Sequence, residues 1–207
     1  SLEMNNVQLV NRLISNVCEV SGRKILNGQL DPSDWERLDK RIGRLTDAPI
    51  YVDDTPGLSV FELRTKARRL VREKGVKIIM IDYLQLMQSG KRNESRVNEI
   101  GEISRAMKIM AKELNVPVIC LSQLSRAVEK REDKRPMLSD LRESGAIEQD
   151  ADIVLFIYRD DYYDDESEEK NNAEVIIAKN RHGATGSVFL QWIGQYTTFY
   201  NQDRRHE

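Results

Sequence analysis

The feature that most constrains the fold is a run of apolar residues from Val76 to Ile81, interrupted only by Lys77 and ending at Asp82. Such a run is typical of a strand buried on both faces of a parallel sheet. A second run comprises Val118 to Leu121, and between the two, from about Asn93 to Leu114, apolar residues recur every three or four positions. This order of strand, helix and strand predicts an α/β fold with a mainly parallel sheet. Ligands of such sheets bind beyond the carboxyl ends of the strands.

The composition is that of a globular domain and excludes disordered and fibrous proteins. The 207 residues, 40% of them hydrophobic, suffice for a buried core and predict one domain over residues 1–207. No stretch approaches the roughly 18 apolar residues of a membrane span, and no signal sequence opens the chain. We therefore expect no membrane partner and a cytoplasmic location. The spacing of Cys18 and Cys120, without His or Cys neighbours, excludes a disulfide scaffold and a zinc site.

Helix signals dominate the first third of the chain. Asp31 and Pro32 are typical of an N-cap followed by the first helical residue. Ser59 and Glu62 form a capping box for a further helix that ends at Gly75. A helix directly behind Ser1–Met4 is predicted from apolar residues three or four positions apart, which are Val7, Val10, Leu13, Ile14 and Val17. The buried stripe of a second helix is predicted from Trp35, Leu38, Ile42 and Leu45. Between that helix and Ser59, residues Pro49–Val52 are predicted to be a short β-rich segment.

The last third predicts strands without helices between them. The three segments are Ile153–Tyr158, Glu174–Lys179 and Ser187–Trp192. An acidic loop at residues 160–169 and a glycine turn at residues 183–186 connect them, so we expect an antiparallel extension of the sheet. The acidic loop lacks the glycine turn and ligand spacing of a calcium loop and is interpreted as solvated.

Three polar residues are candidates for nucleotide chemistry. The strand that ends at Asp82 has the form of a Walker B strand, whose carboxylate holds the water shell of nucleotide-bound Mg²⁺; alternatively, Asp82 caps the next turn. Gln123, just past the second strand, suits a γ-phosphate sensor but is equally a polar loop residue. Glu3 can polarise a water, although a glutamate this close to a terminus is by default exposed and mobile.

Two groups of basic residues are candidates for phosphate binding. Lys179 and Arg181 end a predicted strand and, being two positions apart, project on the same side; otherwise they are solvated cations. The segment 126–149 is basic and poor in core residues, and contains Gly145. Backbone N–H groups of such a segment can approach nucleic-acid phosphates, and the alternative is a flexible charged loop. Because the net charge is only -2, nucleic acid would be bound by local basic clusters.

A series of longer sequence blocks carries a resemblance over almost the whole chain. The blocks are Ser1–Met4, Ile50–Ser59, Ile81–Met87, Val116–Arg126, Arg135–Gly145, Ile147–Asp152 and Lys179–Arg181. In this order they closely resemble the C-terminal motor domain of the DnaB family of bacterial replicative DNA helicases. The resemblance implies a RecA-like P-loop ATPase core with a mainly parallel sheet and a C-terminal antiparallel extension.

The resemblance also implies a role for each candidate. Glu3 matches the catalytic glutamate that activates water, Asp82 the Walker B carboxylate at Mg²⁺, and Gln123 the residue that couples nucleotide state to the DNA loops. Lys179 and Arg181 match a pair that reaches across a subunit interface to ATP, with Arg181 as the arginine finger.

The remaining implications concern DNA and partners. Arg142, Glu143 and Gly145 match the loop that contacts the phosphate backbone of single-stranded DNA. The family works as a homo-hexameric ring around one strand, with ATP and Mg²⁺ as cofactors. A helicase loader and a primase are the expected protein partners.

One departure from the family pattern is serious. The Walker A sequence G-x-x-x-x-G-K-[ST] is absent, and the only Gly-Lys pair is Gly90-Lys91, followed by Arg92. In the family this loop lies just before the segment matching Ser1–Met4. We therefore expect a fragment that lacks the Walker A strand and loop, with unpaired backbone groups in its sheet and no ATPase activity of its own.

An alternative function is a non-catalytic RecA-like module that binds DNA or a protein partner. A degenerate module should also have lost its catalytic side chains. Glu3, Asp82, Gln123 and Arg181 all fit the motor. The sequence therefore favours an ATP-dependent DNA helicase over the binding module.

Overall fold

The structure confirms the alternation of helices and strands in the middle of the chain. The computed structural model describes residues 1–90 and 95–202, with the backbone alone for residues 142–144. The helices are α1 (Asn6–Cys18), α2 (Gly22–Asn27), α3 (Pro32–Arg41), α4 (Gly43–Thr46), α5 (Val60–Lys74), α6 (Arg96–Leu114) and α7 (Gly145–Asp150). The strands are β1 (Ile79–Ile81), β2 (Val118–Cys120), β3 (Ile153–Tyr158), β4 (Asn172–Asn180), β5 (Gly186–Ile193) and β6 (Thr198–Asn201).

The parallel sheet of the described residues pairs β1 with β2. The register runs from Ile79 opposite Val118 to Ile81 opposite Cys120. Helix α6 makes the connection, which a parallel pair needs because the chain must return to the same end of the sheet. Its first residue is Arg96; Asn93, the predicted start, and Lys91 of the Gly-Lys pair lie outside the described residues.

A hydrophobic core packs α5 and α6 against β1. Its buried members are Ala67, Ile81, Leu84, Met87, Ile100, Ile103, Met107 and Met110. Four of them share one face of α6, as the apolar spacing predicts. Val97, one turn earlier, is half exposed and lies outside this core.

Two predictions about strands are wrong. The parallel strands are not buried on both faces, because Met80 is 68% and Ile119 44% exposed. Met80 is thus mostly exposed to solvent and Ile119 nearly half exposed. Residues 49–52 form no strand, and Ile50 and Tyr51 are exposed. A β-rich segment becomes a strand only where a neighbouring strand takes up its backbone hydrogen bonds.

The capping predictions are confirmed, but one buried stripe is not. Asp31 caps α3 by accepting a hydrogen bond from the Asp34 N–H at 3.0 Å, and Ser59 caps α5 in the same way through Glu62. Trp35 is exposed, contrary to the prediction, whereas Asp34 is buried. Lys24 and Arg37 bind the Asp34 carboxylate at 2.7 and 2.6 Å. This ionic network turns Trp35 outward, because the buried charge must face its partners.

The last third forms an antiparallel sheet in the order β3-β4-β5-β6. Strands β4 and β5 pair from Asn172 opposite Gln191 to Ile177 opposite Gly186. The three predicted strands are present, and β6 is an addition that the sequence analysis missed. It pairs with β5 through a short register ending at Ile193 opposite Thr198.

The chain divides into two compact units. The first contains Ser1–Met4, Val52–Val154 and Ala178–Ala184, and the second contains the other described residues. The assignment of residues 1–207 to one domain stays a prediction. In the described part of the chain, no helix has the length and apolarity to cross a membrane.

Candidate active site

The carboxyl ends of β1 and β2 bring two predicted site residues to one edge of the parallel sheet. The Leu121 N–H donates to the Ile81 carbonyl at 2.9 Å, and the Leu121 carbonyl accepts a hydrogen bond from the Leu84 N–H at 2.9 Å. Asp82 directly follows Ile81, and Gln123 comes two residues after Leu121. Asp82 is half-buried and Gln123 is exposed. A carboxylate and an amide therefore face the position where ligands of parallel sheets bind.

Glu3 joins the same edge through its neighbours in the chain. The Leu2 N–H donates to the Asp82 carbonyl at 2.7 Å, and the Ser1 hydroxyl lies 3.4 Å from Asp82 Oδ2. The Met4 N–H donates to Ser1 Oγ at 3.1 Å, which closes a turn around Glu3. Its side chain is exposed, but its backbone is held beside Asp82. The three predicted catalytic residues Glu3, Asp82 and Gln123 thus lie on neighbouring segments.

Gln85 is a residue of this edge that the sequence analysis did not single out. Its Nε2 donates to Ser122 Oγ at 2.9 Å and to the Gln123 carbonyl at 3.3 Å. Its Oε1 accepts the Gln123 N–H at 3.1 Å. One amide thus holds the backbone on both sides of the Gln123 Cα, through the N–H and the carbonyl of that residue. The only sequence signal was its place three residues after Asp82, inside a block of the resemblance.

Gln85 and Gln123 also line a small cavity of about 90 Å³. Its wall includes Arg96 at the start of α6 and Ser125. The Arg96 guanidinium donates to the Gln85 carbonyl and also pairs with the Glu99 carboxylate. The sheet edge is therefore tied to the first turn of α6.

Asp53 is a second residue near this edge that was not predicted. Its carbonyl accepts a hydrogen bond from the Ser1 nitrogen at 2.8 Å, and its carboxylate binds Lys66 at 2.6 Å. Burial alone would raise the pKa of the Asp53 carboxyl. Hydrogen bonds from Lys66 and Thr55 outweigh burial and lower the pKa to about 2. Asp53 is therefore ionised at neutral pH and committed to Lys66.

Lys179 and Arg181 lie in the first unit but make their described contacts elsewhere. Lys179 Nζ donates to the Glu148 carbonyl in α7. Arg181 Nη1 lies 3.1 Å from Asp152 Oδ1, and its N–H donates to the Asp152 carbonyl at 2.8 Å. Within residues 1–90 and 95–202, neither cation is hydrogen-bonded to Asp82 or Gln123. The described partners of the two cations are therefore Glu148 of α7 and Asp152, which follows α7.

The basic segment after β2 is ordered by an internal ion pair. The Arg131 guanidinium binds both oxygens of the buried Asp140 carboxylate, at 2.9 and 2.8 Å. Arg131 is thus a structural cation within this segment. Arg126 and Lys130 remain exposed.

The predicted DNA loop joins this segment to α7. Gly145 is exposed and begins α7 with ordinary helical dihedral angles, φ -51° and ψ -24°. The side chains of Arg142 and Glu143 lie outside the described residues. The structure therefore gives the position of the loop backbone without the contacts of these two side chains.

Carboxylates and cations on the described residues could serve Mg²⁺ and a phosphate. Asp82 suits a cation held through water, since its carboxylate is partly exposed and its contact with Ser1 is long. No cluster of three or more His, Cys, Asp or Glu side chains in the described ranges could bind a metal directly.

Comparisons with known proteins agree with this architecture. The family model described as DnaB-like helicase C terminal domain matches residues 1–201. The replicative DNA helicase DnaB of Geobacillus stearothermophilus is 53% identical over 208 residues, which cover 100% of this chain and 46% of that protein. The chain thus spans about half the length of this relative.

Two solved structures are similar over nearly the whole chain. One is an ATPase domain with a TM-score of 0.93 and 50% identity, and the match covers 98% of this chain and 73% of that one. The other is a DnaB-like replicative helicase, studied with its interactions with primase, which also gives a TM-score of 0.93 and 50% identity, covering 98% and 49%. The RecA-like α/β fold implied by the resemblance is confirmed by these matches. The chain therefore belongs to the family of DnaB-like helicase C-terminal domains.

Proposed function

We propose that this chain is the motor domain of an ATP-dependent replicative DNA helicase, which couples ATP hydrolysis to translocation on single-stranded DNA and to unwinding. The observation that carries the proposal is the convergence of Glu3, Asp82 and Gln123 at the carboxyl edge of β1 and β2. A general base, a metal-binding carboxylate and an amide at one such edge are among the parts that phosphoryl transfer to water uses.

Each of these residues has a distinct role in the proposal. Glu3, with its exposed carboxylate, accepts a proton from the attacking water. Asp82 holds the water shell of Mg²⁺, and the nucleotide supplies the phosphoanhydride that is cleaved. Gln123 senses the γ-phosphate, and Gln85 fixes its backbone through the paired amide hydrogen bonds. The 207 residues contain no Walker A sequence, so we expect the chain alone to hydrolyse no ATP.

Lys179 and Arg181 act on ATP bound by a neighbouring subunit of a homo-hexamer. Their contacts with Glu148 and Asp152 support this role, because they give both cations described partners other than Asp82 of their own subunit. Nearly half of the Arg181 side chain remains exposed. An arginine supplied from a neighbour stabilises charge that develops in the transition state.

Single-stranded DNA binds at the loop of Arg142, Glu143 and Gly145. Gly145 supports this proposal, since it is exposed and nothing described lies within 4 Å of the position a Cβ would take. A helicase loader and a primase are the proposed protein partners, and the cytoplasm the proposed location. The similar helicase structure, which was studied with its interactions with primase, supports the second of these partners.

Glu3→Gln in the whole gene product tests the catalytic role. We expect nucleotide binding to persist and the ATP turnover number to fall by about 10²- to 10⁴-fold, because the general base is lost. Glu132→Gln changes an exposed glutamate of the basic segment and is the matched control. Turnover and unwinding are measured with single-stranded and forked DNA. A Glu3→Gln protein as active as the control would remove Glu3 from the mechanism.

Arg142→Ala tests the DNA loop independently of the chemistry. A lost phosphate contact should weaken binding about equally for all DNA sequences and reduce the salt dependence of the affinity. Both are measured by fluorescence anisotropy over a range of salt concentrations. A variant with the parent's affinity and salt dependence would exclude Arg142 from the phosphate contacts. A whole gene product that binds DNA without any ATP turnover would favour the non-catalytic module.

A further inference from the structure

Asp152 lies between α7 and β3, where it contacts Arg181 in two ways. Its carbonyl accepts the Arg181 N–H at 2.8 Å, which fixes the backbone from which the arginine side chain begins. Its Oδ1 lies 3.1 Å from Arg181 Nη1, which fixes the other end of the same side chain. One residue therefore restrains both the base and the head group of the cation.

Asp152 is itself held in place by α6. Lys108 Nζ binds Asp152 Oδ2, so the two carboxylate oxygens have different cationic partners. The hydrogen bond from Lys108 lowers the pKa of the Asp152 carboxyl, and the charges of Arg181 and His182 lower it further. Asp152 is therefore ionised at neutral pH, and its position is set by the core helix α6.

The contact with Arg181 leaves most of the guanidinium free for another anion. Because Lys108 occupies Oδ2, the contact joins a single carboxylate oxygen to Nη1 and is not the two-bond fork that arginine forms with an isolated carboxylate. The Arg181 side chain is still 46% exposed. An arginine held at one nitrogen has a fixed orientation, and its remaining N–H groups can still bind a second anion.

We propose that Asp152 is a positioning residue that aims Arg181 at the phosphates bound by the neighbouring subunit. This inference rests on the proposed function of Arg181 as an arginine finger. A side chain with several rotatable bonds loses effectiveness when it is not preorganised, and a misplacement of about 1 Å costs up to about 10²-fold in rate. Asp152 touches neither substrate in this proposal and acts only through Arg181.

Mixed rings of the whole gene product separate this role from a general structural one. Glu3→Ala disables the site of its own subunit, whereas Arg181→Ala disables the site of its neighbour. Rings mixed from these two variants should regain ATP turnover, because some interfaces combine an intact Glu3 with an intact Arg181. Asp152→Ala should lower the turnover number by about 10- to 100-fold with little change in the KM for ATP. It should behave like Arg181→Ala on mixing: rings with Glu3→Ala subunits regain turnover, and rings with Arg181→Ala subunits do not.

Two further variants control for damage to the fold. Asp152→Asn keeps the size and an oxygen acceptor but loses the charge, so it carries the test if Asp152→Ala fails to assemble. Asp150→Ala changes the nearby carboxylate at the end of α7 and should retain parent turnover. Ring assembly and thermal unfolding are measured for every variant.

The outcomes distinguish the inference from the function on which it rests. If rings of Arg181→Ala with Glu3→Ala stay inactive although subunits exchange, the proposed finger itself is wrong. If those rings recover but the Asp152 variants have parent turnover, the inference about Asp152 is overturned. Recovery when Asp152 and Arg181 variants are mixed would also overturn it, because the two defects would then lie on different sides of the interface.

Discussion

Cys120 shows how position in the sheet controls the chemistry of a single residue. It ends β2 opposite Ile81 and precedes Gln123 by three positions. Burial raises the pKa of its thiol to about 11, because the thiolate would lose its hydration. A protonated thiol is a poor nucleophile, so Cys120 belongs to the packing of the strand and not to the chemistry of the adjacent edge.

We predict that Cys120 resists alkylation at pH 8. With a pKa of about 11, only about one thiol in a thousand is ionised there, so the rate should be about two orders of magnitude below that of an unperturbed cysteine. Iodoacetamide labelling followed by peptide mass spectrometry resolves Cys120 from Cys18. The chain in denaturant is the control, and the rate should rise with pH toward pH 11. Equal labelling in native and denatured protein would contradict the raised pKa.

The residues of the candidate site divide into those that sequence could identify and those that needed the fold. Asp82 and Gln123 were identified because each comes just past an apolar strand. Gln85 binds Gln123 and Asp152 contacts Arg181, and in each pair the partner is at least 29 residues away in the chain. Local spacing does not predict contacts over such separations. Glu3 was a weaker candidate until the resemblance gave it a role, since a terminal glutamate has no distinguishing pattern.

At the level of elements, helix ends were predictable, whereas buried faces were predictable only in part. Asp31 and Ser59 cap their helices through hydrogen bonds to residues three positions on, so their signal is local. The exposure of Trp35 and Met80 depends on whether another element packs against those side chains. Hydrophobic periodicity identifies an apolar face but not whether another element covers it.

The segment between β2 and α7 should depend on the Arg131–Asp140 pair. We predict that Asp140→Ala destabilises the protein by about 3 kcal/mol, since removing one partner leaves a partly buried guanidinium without its counter-charge. The Met137 N–H, which donates to Asp140 Oδ2 at 2.8 Å, should exchange faster. The Ser125 N–H donates to the Asp140 carbonyl and keeps its partner.

Urea unfolding and amide hydrogen exchange measure these two effects. Glu132→Ala removes a nearby exposed carboxylate and should leave both stability and exchange unchanged. Unaltered exchange at Met137 in the Asp140→Ala protein would show that the ion pair does not organise the segment.

Helices α6 and α7 approach closely at Gly101. A Cβ built on Gly101 would lie 3.2 Å from the Ala146 Cβ, which is tighter than ordinary contact. We predict that Gly101→Leu destabilises the protein by about 1–3 kcal/mol through overpacking and increases hydrogen exchange in α7. Adding Ala146→Gly should restore part of the stability, because it removes the Cβ with which the new side chain clashes. Thermal unfolding of the single and double variants measures this; losses that simply add would contradict a direct clash.

On the scale of the whole molecule, the parallel sheet presents an apolar face to solvent. The exposed apolar side chains are Met80 and Ile119 in the strands β1 and β2, and Ile78 and Leu121 next to these strands. Contiguous apolar patches of this kind promote association in water. The family match over residues 1–201 identifies the fold of this sheet. The exposed apolar face determines whether the 207-residue chain associates in water by itself.

We therefore predict that the 207-residue chain self-associates through this face as its concentration rises. Burying Met80 and Ile119 should contribute about 1.5 kcal/mol each, so Met80→Gln combined with Ile119→Thr should raise the dissociation constant by about 100-fold. Sedimentation velocity over a dilution series measures the association. Phe61→Ser removes a side chain that is 77% exposed on α5, away from the strands, and is the matched control. A parent chain that stays monomeric at all concentrations, or a control that weakens association as much as the double variant, would contradict the assignment to the sheet face.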